Sequence, residues 1–176
     1  MSRCYSRAVR RIREPRPIGD GICELDLSMG LVALIDEADA AMVSVCSWCA
    51  SYNGRNPIPY VKGRPGADRR FVRLHRYLLG FPDLQVDHRN GDTLDNRRAN
   101  LRLATQSQST ANTRIRKDNT TGFKGVTFER GLYVATCQGI RIGKYTTAIE
   151  AAAAYDRAAL ATFGDFARCN FAEVPA

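Results

Sequence analysis

The first third of the chain alternates short apolar runs with turn residues, a pattern that predicts strands in small sheets. The predicted strands are residues 21–28, 31–36, 45–52 and 58–62, with turns at Ser28–Gly30 and Asn53–Gly54. Between the second and third strands, residues 36–45 predict a short helix capped by Asp36. Trp48 is predicted to anchor the core of this part.

The middle of the chain predicts helical and extended segments in turn. Residues 71–80 (FVRLHRYLLG) predict an amphipathic helix that Gly80 ends, with His75 on it in a packing or capping role or, less simply, a catalytic one. A strand, a polar loop, a second strand and a helix follow. Their predicted bounds are 84–88 for the first strand, 100–105 for the second and 106–117 for the helix, with Thr105 as its N-cap.

After a polar, basic linker at 114–121, the pattern predicts three short strands and one long helix. The strands are 122–130, 132–138 and 140–146, and the helix is Thr147–Phe163, ended by Gly164. A set of mostly apolar residues follows helical spacing and predicts one buried face of this helix: Ile149, Ala152, Tyr155, Ala159 and Phe163. Small alanines let this helix lie close on a sheet, so the expected fold class is α+β.

Charge is distributed unevenly along these 176 residues, whose formal net charge is +8. Residues 17–54 contain six acidic side chains and no Lys or Arg, whereas residues 55–145 contain eighteen Lys or Arg against seven Asp or Glu. A basic region of this kind is typical of proteins that bind a polyanion, most simply nucleic acid. A merely solubilising surface is the alternative.

The N-terminus predicts a basic arm. Residues 1–16 contain six Arg and little apolar sequence, which suits either an arm along a phosphate backbone or a disordered tail. No secretory signal and no membrane-spanning run is evident, so we expect a cytoplasmic protein. Among the six cysteines, Cys46 and Cys49 form a lone CxxC pair, which favours free thiols over structural zinc.

Asp87 and His88 carry the most informative chemistry. A carboxylate can hold a hard divalent cation, and an adjacent imidazole can take a proton from the water that attacks a phosphodiester. Asn100, on the returning strand, is placed to hold the other ring nitrogen. The surrounding Arg and Asn residues suit a phosphate substrate.

The run VDHRNGDTLDNRRANLRLAT (residues 86–105) resembles the signature of HNH endonucleases, ββα-metal nucleases of phage and bacterial homing systems. The resemblance implies that Asp87 is a metal ligand for Mg²⁺ or Mn²⁺, that His88 is the general base and that Asn100 orients it. The family's third position, a metal-ligating Asn or His, falls on Ser109, a weaker ligand. Asn112, three residues after Ser109, is an alternative metal ligand for this position.

The C-terminal segment resembles the APETALA2/ERF DNA-binding domain. The matching elements are Gly125-Val126, Gly143-x-Tyr145, AAAAYDRAA (151–159), Gly164 and Asn170-Phe171. This resemblance implies a three-stranded antiparallel sheet packed on one helix, with the sheet in the major groove. The expected DNA contacts come from a subset of seven residues: Lys124, Thr127, Arg130, Tyr133, Gln138, Arg141 and Lys144.

Together these features predict a monomeric DNA endonuclease that acts on double-stranded DNA. The predicted organisation is an arm (1–16), a nuclease module with its leader (17–113), a linker (114–121) and a DNA-binding domain (122–173). Two alternatives stay open: a non-catalytic, transcription-factor-like DNA-binding protein with a degenerate HNH module, and an RNA-binding protein.

Overall fold

The structure is a computed structural model that describes residues 12–53, 58–67 and 70–172. Within these ranges it has eleven strands and four α-helices, which confirms the predicted α+β class. The chain divides into two compact units between Leu103 and Ala104. No helix in the described ranges combines the length and apolar character that crossing a membrane requires.

The first sheet of the first unit is antiparallel, in the order β1–β2–β3. Its strands are β1 (Arg16–Gly19), β2 (Ile22–Asp26) and β3 (Val32–Asp36). The alternation that predicted β2 and β3 buries Cys23, Leu25 and Ile35 in the core. β1 was not predicted, because Pro17 suggested the end of an arm; Arg16 pairs instead with the carboxylate of Glu24, 3.0 Å away. Residues 1–11 of the predicted arm lie outside the described ranges.

A short helix links this sheet to a second one of three antiparallel strands. The elements are α1 (Ala40–Val43), β4 (Cys49–Tyr52), β5 (Pro59–Gly63) and β6 (Val72–Arg73). Trp48 packs in the core as predicted, and its indole N–H donates to the carbonyl of Val43 at 2.8 Å. Asp36 does not cap the helix, because its carboxylate accepts a hydrogen bond from the backbone N–H of Arg98. Gly54, in the predicted turn, lies outside the described ranges.

The predicted helix at 71–80 is shorter than expected. The helix α2 spans Leu74–Leu78, whereas Val72 and Arg73 form β6 and pair with β5. Phe71 is therefore 47% exposed and takes no part in a helical face. Gly80 follows with a φ of +70°, as expected for a residue that ends a helix.

The order strand, loop, strand, helix is confirmed in the central segment. The elements are β7 (Gln85–His88), β8 (Leu101–Ala104) and α3 (Gln106–Ala111). Thr105 caps α3 as predicted, and a reciprocal hydrogen bond from its backbone to Gln108 completes a capping box. α3 ends at Ala111 rather than 117, and Asn112 is its C-cap.

The second unit contains the expected antiparallel sheet, in the order β11–β10–β9, and one long helix. The elements are β9 (Val126–Glu129), β10 (Leu132–Cys137), β11 (Ile140–Tyr145) and α4 (Ala148–Phe163). Val126 and Ala135 of the sheet pack with Ala152, Tyr155 and other residues of α4. The small alanines bring helix and sheet close together.

One expected position of α4 is not on its buried face. Ile149 is 57% exposed, whereas the neighbouring alanines 151–154 are buried. On that buried face Asp156 is completely enclosed and accepts hydrogen bonds from the backbone N–H groups of Asn170 and Phe171. The Asn170 side chain in turn pairs with the backbone of Lys124, so a single buried carboxylate ties the C-terminal segment to the start of the sheet.

Gly125→Ala is expected to destabilise the second unit strongly. Gly125 has a φ of +74°, and a Cβ there would overlap the ring of Tyr155. The unfavourable backbone costs about 1 kcal/mol and the overpacking about 1–3 kcal/mol more. Urea unfolding should therefore show a loss of about 2–4 kcal/mol. Gly122→Ala is the matched control, because its φ of +76° is similar but open space surrounds it; equal losses in the two variants would contradict the packing explanation.

Candidate active site

Asp87 and His88 form the last two residues of β7. Both side chains are buried, with 8% of Asp87 and 4% of His88 exposed. Neighbouring residues of a strand point to opposite faces, but the chain turns directly after His88, where the N–H of Gly91 donates to the His88 carbonyl at 2.9 Å. The predicted pair therefore sits at a strand end, beside a tight turn.

Asp87 is held by a buried arginine. The Nε–H of Arg102, on β8, donates to Oδ2 of Asp87 at 3.0 Å, and Nη2 lies 3.0 Å from the same oxygen. The arginine is itself 8% exposed, so neither charge is well hydrated. Removing one partner of such a pair would leave an uncompensated buried charge. Sequence patterns alone predicted no role for Arg102, which lies on β8, the strand that neighbours β7.

His88 is oriented by Asn96, which is fully buried. Nε2 of His88 lies 3.4 Å from Oδ1 of Asn96. The amide N–H groups of Asn96 donate to the carbonyls of Thr93 and Leu94, which fixes the amide with its oxygen towards the ring. Because this oxygen can only accept, Nε2 carries the proton and Nδ1 carries the lone pair of the neutral ring.

The environment of His88 favours that neutral ring. Burial lowers the pKa of His88, and this effect exceeds the opposing influence of Asn96, Asp87, Asp92 and Asp95. A neutral imidazole at neutral pH is able to accept a proton. The site thus contains a group in the protonation state that a general base needs.

His75, on α2, lies against His88. The two rings meet edge to face with their centroids 5.0 Å apart, and the ring of Tyr60 also meets His75 edge to face, with a centroid distance of 5.9 Å. Burial lowers the pKa of His75 to about 3, with smaller contributions from His88, Arg73 and Arg76. This agrees with the packing interpretation of His75 and adds that it forms part of the wall around His88.

The Asn100 side chain forms hydrogen bonds with the β7–β8 loop rather than with the His88 imidazole. Its Oδ1 accepts from the N–H of Asn90 at 3.0 Å, and its amide donates to the carbonyl of Asp95 at 2.7 Å. Both ends of the amide are thereby used to brace the loop. The orienting contact predicted for Asn100 is made by Asn96, so any influence of Asn100 on His88 passes through the loop backbone.

The same loop is fastened to β3. The N–H of Leu34 donates to Leu94, and Leu34 accepts from the N–H of Asn96 at 2.8 Å, next to a parallel bridge between Leu34 and Asp95. Arg97 forms two hydrogen bonds of 2.7 Å with Asp95, which lowers the pKa of that carboxyl group. The residues that set the geometry of His88 therefore come from two sheets.

Two carboxylates of the acidic N-terminal segment complete this attachment. Asp36 accepts from the backbone N–H of Arg98 at 2.7 Å, and buried Asp39 pairs with the Arg98 guanidinium at 2.7 Å. This contact raises the pKa of Arg98. The acidic stretch between 17 and 54 thus includes counter-ions for the basic loop, a role that charge counting along the sequence did not reveal.

The described residues contain no group of three or more His, Cys, Asp or Glu side chains arranged to hold a metal ion. Asp87 is the carboxylate among the predicted ligands, and Arg102 already engages it. Ser109 and Asn112, the other predicted ligands, belong to α3 and its C-cap in the second unit. One carboxylate with water and substrate phosphates is a donor set that Mg²⁺ accepts, whereas a closed site of protein ligands does not fit these residues.

Two of the seven residues predicted to contact DNA do not lie on the outer face of the second unit's sheet, which is the face opposite α4. Lys124 lies before β9, where its ammonium group donates to the carbonyls of Ala111 and Thr113, the latter at 2.9 Å. Burial, assisted by Arg168, lowers its pKa to about 8. Tyr133 packs against the helix-side core, because strand alternation puts it there with Ala135.

The other five predicted contacts are exposed. Thr127 and Lys144 both flank Val134 in the sheet register and lie on the face away from α4, as does Arg141, which pairs with Glu129 at 3.1 Å. Arg130 and Gln138 occupy the two hairpin turns with φ of +51° and +52°. The amide of Gln138 donates to the Ser107 hydroxyl at 2.9 Å. The exposed set thus combines one sheet face with both turns.

His75→Gln is expected to make stability less dependent on pH. Since the folded pKa of His75 is about 3 and the ordinary value is about 6.5, the unfolded chain takes up a proton that the folded chain does not as the pH falls below 6.5. The free energy of unfolding should therefore drop, between pH 7.5 and 5.0, by about 2 kcal/mol more in the wild type than in the variant. Chemical denaturation at the two pH values measures this, and parallel losses would contradict it.

One segment of the chain matches a known protein family. Residues 79–111 match the model of a family described as HNH endonuclease. Comparison with curated proteins and with solved structures gave no match. The matched segment contains β7, β8 and α3, so it includes Asp87, His88 and Asn100 and supports a nuclease of the HNH type.

Proposed function

We propose that this protein is a DNA endonuclease that hydrolyses phosphodiester bonds with the help of a divalent metal. The observation that carries the proposal is His88: a buried, neutral imidazole held by Asn96 next to Asp87, inside the segment that matches the HNH endonuclease family. An HNH nuclease domain implies DNA as the substrate. The strongly basic character of residues 55–145 agrees with that substrate.

In this proposal His88 acts as the general base. Nδ1 accepts the proton of a water molecule that attacks the phosphorus atom. Nε2 keeps its hydrogen, which stays hydrogen-bonded to Oδ1 of Asn96. The hydrogen bond with Asn96 and the edge-to-face contact with His75 restrict rotation of the ring. Because these contacts exist before the substrate binds, little reorganisation is needed when the proton is transferred.

HNH nucleases generally use divalent metals. Asp87 is the residue of the first unit that would hold one, and the resemblance adds Ser109 or Asn112. A bound Mg²⁺ or Mn²⁺ would stabilise negative charge on the leaving oxygen. Arg102 competes for the same carboxylate, so cation binding would require a change in the Asp87–Arg102 pair.

The second unit would supply targeting. Its sheet and helix have the arrangement that the APETALA2/ERF resemblance implies, and the outer face exposes Thr127, Arg141 and Lys144. Arg and Lys side chains are suited to guanine edges and phosphates in the major groove. Lys124 and Tyr133 are left out of this proposal, since one is bound to loop carbonyls and the other packs towards α4.

A second candidate is a DNA-binding protein without cleavage activity. Two observations favour it: Asp87 is neutralised by Arg102, and Ser109 stands where the HNH signature has a stronger ligand. In that case the HNH segment is a scaffold, and replacing His88 would change no activity. Nicking assays separate the two candidates.

His88→Ala is expected to abolish nicking of supercoiled plasmid in the presence of Mg²⁺ or Mn²⁺. Loss of a general base lowers the rate by about 10²–10⁴-fold. Conversion of supercoiled to open-circular DNA measures this, and identically purified His88→Ala protein also reports contaminating nuclease. Thermal unfolding of both proteins shows whether the variant is folded.

The same assay includes Ser109→Asn, which restores the amide ligand of the HNH signature. At limiting Mg²⁺ this variant is expected to nick about 10-fold faster than the wild type. Equal nicking by wild type and folded His88→Ala, with no gain in Ser109→Asn, would leave the non-catalytic candidate. Intact plasmid with every protein and both metals would also reject the nuclease proposal.

Arg141→Gln with Lys144→Gln is expected to reduce sequence preference. Selection of bound duplexes from a random pool should enrich a shared sequence with the wild type and about 10-fold less with the double variant. Replacing Arg116, an exposed residue paired with Asp118 in the linker, serves as a charge control. Undiminished enrichment by the double variant would reject the sheet as the targeting surface.

A further inference from the structure

The side of the β4–β5–β6 sheet that points away from the core carries cationic and aromatic side chains. Ala50 and Val61, partners in the register, point into the core, so the alternate residues point away from it. Five of the residues on that outward side define what we call the cationic sheet face: Tyr60, Lys62, Arg64, Phe71 and Arg73. In the described part of these strands, the outward residues include no acidic side chain.

Two like charges stand directly opposite each other on this face. Lys62 and Arg73 are register partners on β5 and β6. Directly opposed like charges destabilise a sheet. Within the described ranges neither side chain forms a hydrogen bond or an ion pair, so no anionic group there offsets their repulsion. Such an arrangement suits an anion that comes from another molecule.

The two aromatic rings hold the cations in place. Phe71 lies under Lys62 and Arg64, with centroid distances of 4.8 and 3.9 Å, and Arg73 lies over Tyr60 at 4.6 Å. A cation over an aromatic face loses conformational freedom but keeps its charge. Because the two rings already stack with cations, they are not available to stack with nucleic-acid bases. This favours a phosphate backbone over unpaired bases as the ligand.

The face is continuous with the candidate active site. The ring of Tyr60 contacts His75, and His75 contacts His88. The Thr93 hydroxyl, in the loop that positions His88, donates to the carbonyl of Pro59 at the start of β5. A backbone bound on the face would therefore lie on the same compact unit as His88.

We propose that the cationic sheet face binds the phosphate backbone of duplex DNA close to the position of cleavage. This inference rests on the proposed nuclease function and adds a substrate-binding surface in the first unit. The HNH resemblance assigned no role to these five residues, and the APETALA2/ERF resemblance concerns the second unit alone.

Binding to a fluorescent duplex, measured by anisotropy with EDTA present, tests the proposal apart from cleavage. Lys62→Gln, Arg73→Gln and the double variant are compared with the wild type over a series of salt concentrations. Each lost phosphate contact should weaken binding about 5–10-fold at 100 mM salt and reduce the slope of log K against log[salt] by about 0.9. The double variant should reduce it by about 1.8.

Arg157→Gln is the matched control, since it removes the same charge from the exposed side of α4. It should leave the slope unchanged, and all variants should melt within about 3 °C of the wild type. Unchanged slopes in folded Lys62 and Arg73 variants, an equal loss in Arg157→Gln, or a loss confined to single-stranded DNA would overturn the inference while the nuclease proposal stands. A wild type that binds no duplex would overturn both.

Discussion

The geometry around His88 depends on the hydrogen bonds that fasten the β7–β8 loop to the edge of β3. Leu34 exchanges backbone hydrogen bonds with Leu94 and Asn96, and this pairing buries the Asn96 side chain with its oxygen towards His88. A buried amide must satisfy its own hydrogen bonds, which Thr93 and Leu94 do. The imidazole is therefore oriented by a strand that belongs to another sheet.

Burial has opposite consequences for the two charged and polar groups at the end of β7. For His88 it lowers the pKa and keeps the ring neutral, which suits a base. For Asp87 it makes a compensating charge necessary, and Arg102 supplies it. The same desolvation thus keeps His88 neutral and holds Asp87 in an ion pair. The proposed nuclease activity requires that this carboxylate exchange its arginine for a metal ion.

Local patterns predicted most of the secondary structure. Alternation gave β2, β3 and the three strands of the second unit, and Thr105 marked the start of α3. The failures arose where tertiary pairing decided the conformation. Residues 71–73 continue the helical spacing of α2, yet β5 draws them into an extended strand. Pro17 hid β1, which is an edge strand and tolerates proline.

The site was predictable where its residues are close in sequence. Asp87 and His88 were visible as a pair, and the spacing to Asn100 identified the hairpin. The contacts of Asn96 and Asp39 were not visible, because they depend on which strand edge the loop meets. Lys124 was misplaced for a related reason: it precedes β9, so strand alternation says nothing about where its side chain lies.

The ion pair between Asp39 and Arg98 joins positions 59 residues apart. The recognisable segment, 79–111, contains the arginine but neither its carboxylate partner nor the strand edge that holds the loop. That segment is consequently not a self-sufficient cassette. A recombination event or a graft that moved it alone into another protein would transfer the motif without its support, and β3 with Asp36 and Asp39 would have to be inherited along with it.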